Sequence, residues 1–132
     1  MKLLVDNDLP PRLAEALNVI FAPEHEITAL REKFGRSNLK DEEWIPKLGG
    51  EGGWAVLSAD MNIAGKRPSR QLFVGAGLVG FFFSPSLQKA PLNLQAARVL
   101  TIRPQMVSHM KTTANGVFEV PASSRKFRSI GR

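Results

Sequence analysis

The chain has 132 residues, 43% of them hydrophobic, the size of one domain with enough apolar side chains to build a core. It contains no cysteine, so disulfides, thiolate nucleophiles and zinc–thiolate sites are excluded, and the composition suits a reducing cytoplasm. Lysine and arginine total 18 against 12 acids, giving a net charge of +6 and a pI near 10.2, which fits a polyanionic partner; no signal peptide and no membrane-length apolar run is expected.

The opening KLLV, Lys2–Val5, is a short continuous apolar run of the kind found in a strand buried on both faces, and it leads straight into Asp6, Asn7 and Asp8. Pro10 and Pro11 then suit the first turn of a helix, where amide hydrogens are not needed. Leu13, Leu17 and Ile20, spaced by four and three, predict its apolar stripe. HEITAL predicts a second strand, followed by a polar, glycine-containing loop. KDEEWIPKLG predicts a short helix with Asp41 as N-cap, acids in the first turn, a bend at Pro46 and glycine at its end. WAVLSAD is a third strand that ends in an acid, Asp60, and LVGFFF, Leu78 to Phe83, is a fourth. Past a loop containing Pro85 and Pro91, a long helix runs from Leu92 to about Met110, and Pro104 should kink it. The tail GVFEVPASSRKFRSIGR reads as a short hairpin or extended pair with a basic end. No repeat or linker interrupts this order, so residues 1–132 read as a single domain with a basic C-terminal extension from about residue 115.

Strands alternating with helices imply crossover connections and a mainly parallel sheet, whose sites lie beyond the carboxyl ends of the strands. Asp6 and Asp60 each follow a strand and therefore share one edge, whereas Asp41 opens a helix and is not placed by this rule. Clustered carboxylates repel unless a cation compensates them, and Mg2+ or Mn2+ takes hard oxygen ligands and activates water against a phosphodiester. His25 and His109 are too few and too scattered for a histidine-rich site. Each acid also has a structural role open to it. Asp6, Asp8 and Asp60 fit turns and caps, and the acids at 41–43 suit a helix dipole. Trp44 and Trp54 read as core or interface anchors, and Phe81 to Phe83 as a buried strand. The basic runs KRPSR and SRKFR are the candidate phosphate contacts, through Lys66, Arg67, Arg70, Arg125, Lys126 and Arg128.

LLVDNDLPPRLAEAL, HEITALREKFGRSNLKDEEWIPKLG and WAVLSADMNI, in this order and spacing, resemble the PIN-like domain of VapC-type toxins, small ribonucleases of bacterial toxin–antitoxin pairs. FG followed shortly by DEEWIP is the most specific part. The resemblance implies an α/β, PIN-like three-layer fold with a mainly parallel central sheet flanked by helices. It further implies a Mg2+ or Mn2+ site and an endoribonuclease that cleaves RNA through a metal-activated water, with a cognate antitoxin as partner; a homodimer is a possible assembly, and the cytoplasmic location is expected from the composition. By position Asp6, Asp41 and Asp60 match the metal-binding and catalytic acids, with Asp8 and Glu42 as auxiliary acids around the same metal. After Asp60 the sequence departs from the pattern. A further acid is usual there, but MNIAGKRPSRQLF offers Asn62 as the one carbonyl ligand candidate, which weakens a second metal position. The alternative reading is a catalytically weak or inactive PIN-like module that binds nucleic acid or protein.

Overall fold

The computed structural model describes residues 1–36, 38–60, 67–113, 115–123 and 127–130, with the backbone alone at Arg67. Six strands form one sheet in the order β2-β1-β3-β4-β5-β6. They are β1 (Lys2–Val5), β2 (Glu26–Ala29), β3 (Trp54–Ser58), β4 (Val79–Phe83), β5 (Gly116–Val120) and β6 (Arg128–Ser129). Every pairing is parallel except β5 with β6. The described helices are α1 (Pro11–Phe21), α2 (Leu30–Phe34), α3 (Asp41–Glu51), α4 (Arg67–Gly75), α5 (Pro85–Gln88) and α6 (Leu92–Thr112). None is long and apolar enough to cross a membrane.

Helices cover both faces of the sheet, which is why every residue of β3 and β4 is buried and both strands read as unbroken apolar runs. Strand alternation sorts the core into two halves. Leu3, Val5, Leu57 and Phe81 pack against Leu13 and Leu17 of α1 and Val99 and Ile102 of α6. Leu4, Val56 and Phe82 pack against Trp44, Ile45 and Leu48 of α3 and Phe73 of α4. The result is the three-layer α/β arrangement of a PIN-like fold, and both tryptophans are core residues.

Several local expectations are corrected. The buried stripe of α1 is Leu13, Ala14, Leu17 and Phe21, while Ile20 is 57% exposed. Phe21 continues the i, i+4 row from Leu13 and Leu17, and its larger ring takes the place assigned to Ile20. Lys40, not Asp41, is the N-cap of α3; Asp41 is the first helical residue and directs its carboxylate to Trp44 instead. The helix also runs through Pro46, Gly49 and Gly50 and ends at Gly52, which has φ near 77°. Two helices arise where loops were expected: the short α2 follows β2 without a gap, and α5 occupies Pro85–Gln88. A further helix, α4, lies in a stretch where the sequence pattern predicts no element, and among its described side chains only Phe73 is fully buried, edge-on to Phe82 at 5.8 Å. Gly80 leaves the room for that ring, since a Cβ there would come within 2.8 Å of it. One buried aromatic in nine residues is a weak periodic signal. The tail does form an extended pair, and its first strand joins the main sheet beside β4.

Gly49 sets the approach of α3 to α4, because a Cβ there would overlap the carbonyl oxygen of Ala76. At Gly50 a Cβ meets nothing within 4 Å. Gly49→Ala is therefore expected to destabilise the protein by about 1–3 kcal/mol, and Gly50→Ala to stabilise it by about 0.5–1 kcal/mol. Urea denaturation of both variants checks the pair, and equal effects would contradict the close helix contact.

Candidate metal centre

From β1 the chain goes to β2 on one side and then returns past β1 to lay β3 on the other. β1 and β3 thus flank the point where strand order reverses, where open α/β sheets form clefts beyond the carboxyl ends of their strands. Val5 pairs with Leu57, so the next residues, Asp6 and Ser58, stand level at that edge. The Asp6 amide extends the ladder by one bond, donating to Leu57 O at 2.9 Å.

Asp6, Asp8 and Asp60 each bring one carboxylate oxygen to within 4.8 Å of the others. Asp6 is buried, Asp60 half-buried and Asp8 exposed. Ser58, fully buried, ties the group together. Its hydroxyl donates to Asp6 Oδ2 at 2.9 Å and accepts from the Asp60 amide at 2.9 Å. Asp8 Oδ1 lies 3.4 Å from the same hydroxyl, whose one proton goes to the shorter contact. Asp8 is held instead by the Ala59 amide, which donates to Oδ2 at 3.2 Å, and the Asn7 amide donates to Asp6 Oδ1 at 2.7 Å. Among the described residues neither Asp6 nor Asp8 has a cationic partner.

The electrostatic consequence is large. Burial, then the charge of Asp8, and to a smaller degree that of Asp41, push the Asp6 carboxyl up to about 7, against the lowering effect of the Ser58 and Asn7 hydrogen bonds. Asp8 is also raised, by burial of its carboxylate end and then by Asp60, although part of the residue reaches the surface. Asp41 is raised by burial first and then by Asp60 and Glu42, with the Trp44 hydrogen bond opposing. These are carboxylates held in place while short of positive charge.

Of the acids singled out in the sequence, the structure brings Asp6, Asp8 and Asp60 together. Asp41, at the start of α3, stands outside this trio but within electrostatic reach of both Asp6 and Asp60. Glu42 is exposed and its charge acts on Asp41. Arg70 is half-buried on α4, one turn before Phe73, and Arg128 on β6 is paired with Glu119 at 3.0 Å. Lys66, Arg125, Lys126 and the Arg67 side chain lie outside the described residues. Ser58 escaped the sequence reading. The signal available was a hydroxyl inside an otherwise apolar strand, two residues before an acid.

Three hard oxygen donors, of which Asp6 and Asp8 have raised carboxyl pKa values and no cationic partner among the described residues, suit Mg2+ or Mn2+, and with no sulfur or imidazole donor in the trio they do not favour a softer ion. The sheet, its two helical layers and this cluster at the switch point define a three-layer α/β protein with a candidate metal site. A family model for the PIN-like domain matches residues 1–85, from β1 through β4 and including Asp6, Asp8, Asp41 and Asp60, and the chain belongs to the PIN-like domain family. No significant match was found among curated proteins or among solved structures. PIN-like domains are usually nucleases, and the acid trio is a group that can hold a metal ion.

The raised Asp6 value has a defined effect on stability. Between the ordinary carboxyl value of 3.8 and about 7, the folded protein keeps a proton that the unfolded chain has released. This contribution is therefore full below the unfolded value and is lost as pH rises toward 7, by an amount on the order of 4 kcal/mol. Without metal, Asp6→Asn is expected to be more stable than the native protein at pH 8 and to show a flatter decline between pH 4 and 7. Thermal melts in chelator across that range check it, and parallel curves for the two proteins would contradict a buried, raised carboxyl at Asp6.

Proposed function

We propose that this protein is a Mg2+- or Mn2+-dependent endoribonuclease, the toxin of a VapC-type toxin–antitoxin pair, with the ion held by Asp6, Asp8 and Asp60. The convergence of these three carboxylates at the β1–β3 switch point carries the reading. Family membership and the net charge of +6 support it, since RNA is a polyanion. On this reading the partners are RNA and a cognate antitoxin in the cytoplasm, with self-association into a homodimer.

A divalent ion bound there would supply charge neutralisation at the phosphodiester and Lewis-acid activation of water. The remaining work belongs to the chain. Ser58 fixes the Asp6 carboxylate in a ligating orientation and holds the Asp60 amide beside it. The Ala59 amide orients Asp8. Asp41 adds negative charge at the rim, and Arg70 and its basic neighbours at 66 and 67 position the nucleic-acid backbone. One observation favours slow turnover: no further acid follows Asp60 in the sequence before β4, and Asp41 is not in the trio. The same observation supports a binding module as the second reading.

Purified protein with Mn2+ or Mg2+ is expected to cut RNA internally, to stop on addition of chelator, and to do so faster with Mn2+, the tighter ion at an oxygen site. Asp60→Asn should lower the rate at least ~100-fold with unchanged circular dichroism and retained RNA binding, since the amide keeps the shape but loses the charge. No cleavage of single-stranded or structured RNA by metal-loaded protein would favour the binding module.

A further inference from the structure

Trp44 is 1% exposed and packs with Ile45, Leu48, Phe73 and Phe82 in the half of the core beneath α3 and α4. An indole has one hydrogen-bond donor, and a buried donor left unpaired costs about 1–3 kcal/mol. Trp44 gives its Nε1–H to Asp41 Oδ1 at 3.0 Å, across the first turn of α3. The ring is locked by the core, whereas Asp41 lies half-buried at the helix start. The fixed partner in this bond is therefore the tryptophan, and it decides where the carboxylate rests. One carboxylate oxygen is engaged by the indole, and Asp41 lies within electrostatic reach of the trio: the charge of Asp60 acts on Asp41, and that of Asp41 on Asp6.

We propose that Trp44 is a positioning residue of the metal centre, whose indole N–H holds Asp41 at the rim of the Asp6, Asp8 and Asp60 trio, where its charge assists cation binding from outside the three-ligand set. This rests on the metal-site reading above. A purely structural tryptophan would fill the core equally well with or without its donor and would not sense the ion. A positioning tryptophan is linked to the ion through a single hydrogen-bonded carboxylate, so cation binding must perturb the indole proton.

The protein carries its own control. Its other tryptophan, Trp54, donates to Glu51 Oε1 at 3.1 Å and begins β3, whereas the trio lies past that strand's end. Five residues of strand separate the two by about 16 Å. A 1H–15N spectrum should therefore show two indole peaks, assigned by the one lost in Trp44→Phe. On titration with Mg2+ the Trp44 peak is expected to move with the midpoint measured by calorimetry, while the Trp54 peak stays in place. Trp44→Phe keeps an aromatic ring in the core but removes the donor, and should weaken Mg2+ binding roughly tenfold. Should that variant fail to fold, Asp41→Asn leaves the core untouched and is expected to give a similar loss of affinity together with a stationary Trp44 peak. Absence of Mg2+ binding to the native protein would overturn both the metal site and this role. Mg2+ binding with a stationary Trp44 peak, or with native affinity in Trp44→Phe, would overturn the role alone.

Discussion

Asp6, Asp8 and Asp60 repel one another across less than 4.8 Å, and the surrounding structure keeps them there. At that separation two full charges oppose each other by about 3.5 kcal/mol at an effective dielectric near 20, a large share of the stability of a domain this size. The repulsion is endured because the backbone leaves little alternative. Parallel pairing of β1 with β3 fixes Asp6 level with Ser58, and the amides of Asn7 and Ala59 point their donors at the carboxylates. Protonation of Asp6 is the relief open to the metal-free protein, and a divalent cation is the relief that also leaves the carboxylates charged.

Ser58 shows how closely fold and site are joined. It ends the fully buried strand β3, yet its hydroxyl bonds to the acid that follows β1 and to the Asp60 amide. The same strand pairing that assembles the core thus assembles the acid trio. Trp44 makes an equivalent link on the other side, from the core beneath α3 to Asp41. Stability and site geometry share atoms at both points, so substitutions there are expected to change the two together.

The architecture was legible because both-face burial leaves a plain trace: KLLV, WAVLS and VGFFF are continuous apolar runs, and two of them lead to acids. The placement of Asp6 and Asp60 at one edge follows from parallel strands alone. What the chain did not reveal depends on partners distant in sequence. Whether Asp41 or Asp8 lies nearer the other two acids is a matter of how α3 docks and how the loop after β1 folds back on Ala59, and neither leaves a periodic signal. Ile20 lost its place in the stripe to Phe21 because an i, i+4 row and an i, i+3 step are equally good helical spacings until the opposing surface is known. The helix α4 depends on the cavity that Gly80 leaves for Phe73, a complementarity carried by two residues on different elements.

The central claim is that the three carboxylates form one cation site whose electrostatic strain the ion relieves. The melting temperature at pH 8, with chelator and then with saturating Mn2+, tests it most directly, because an ion bound only by the folded state stabilises by mass action. A rise of several degrees in the native protein, absent when Asp6, Asp8 and Asp60 are all replaced by asparagine, is the result the account predicts. An equal rise in both proteins, or none in either, would contradict it.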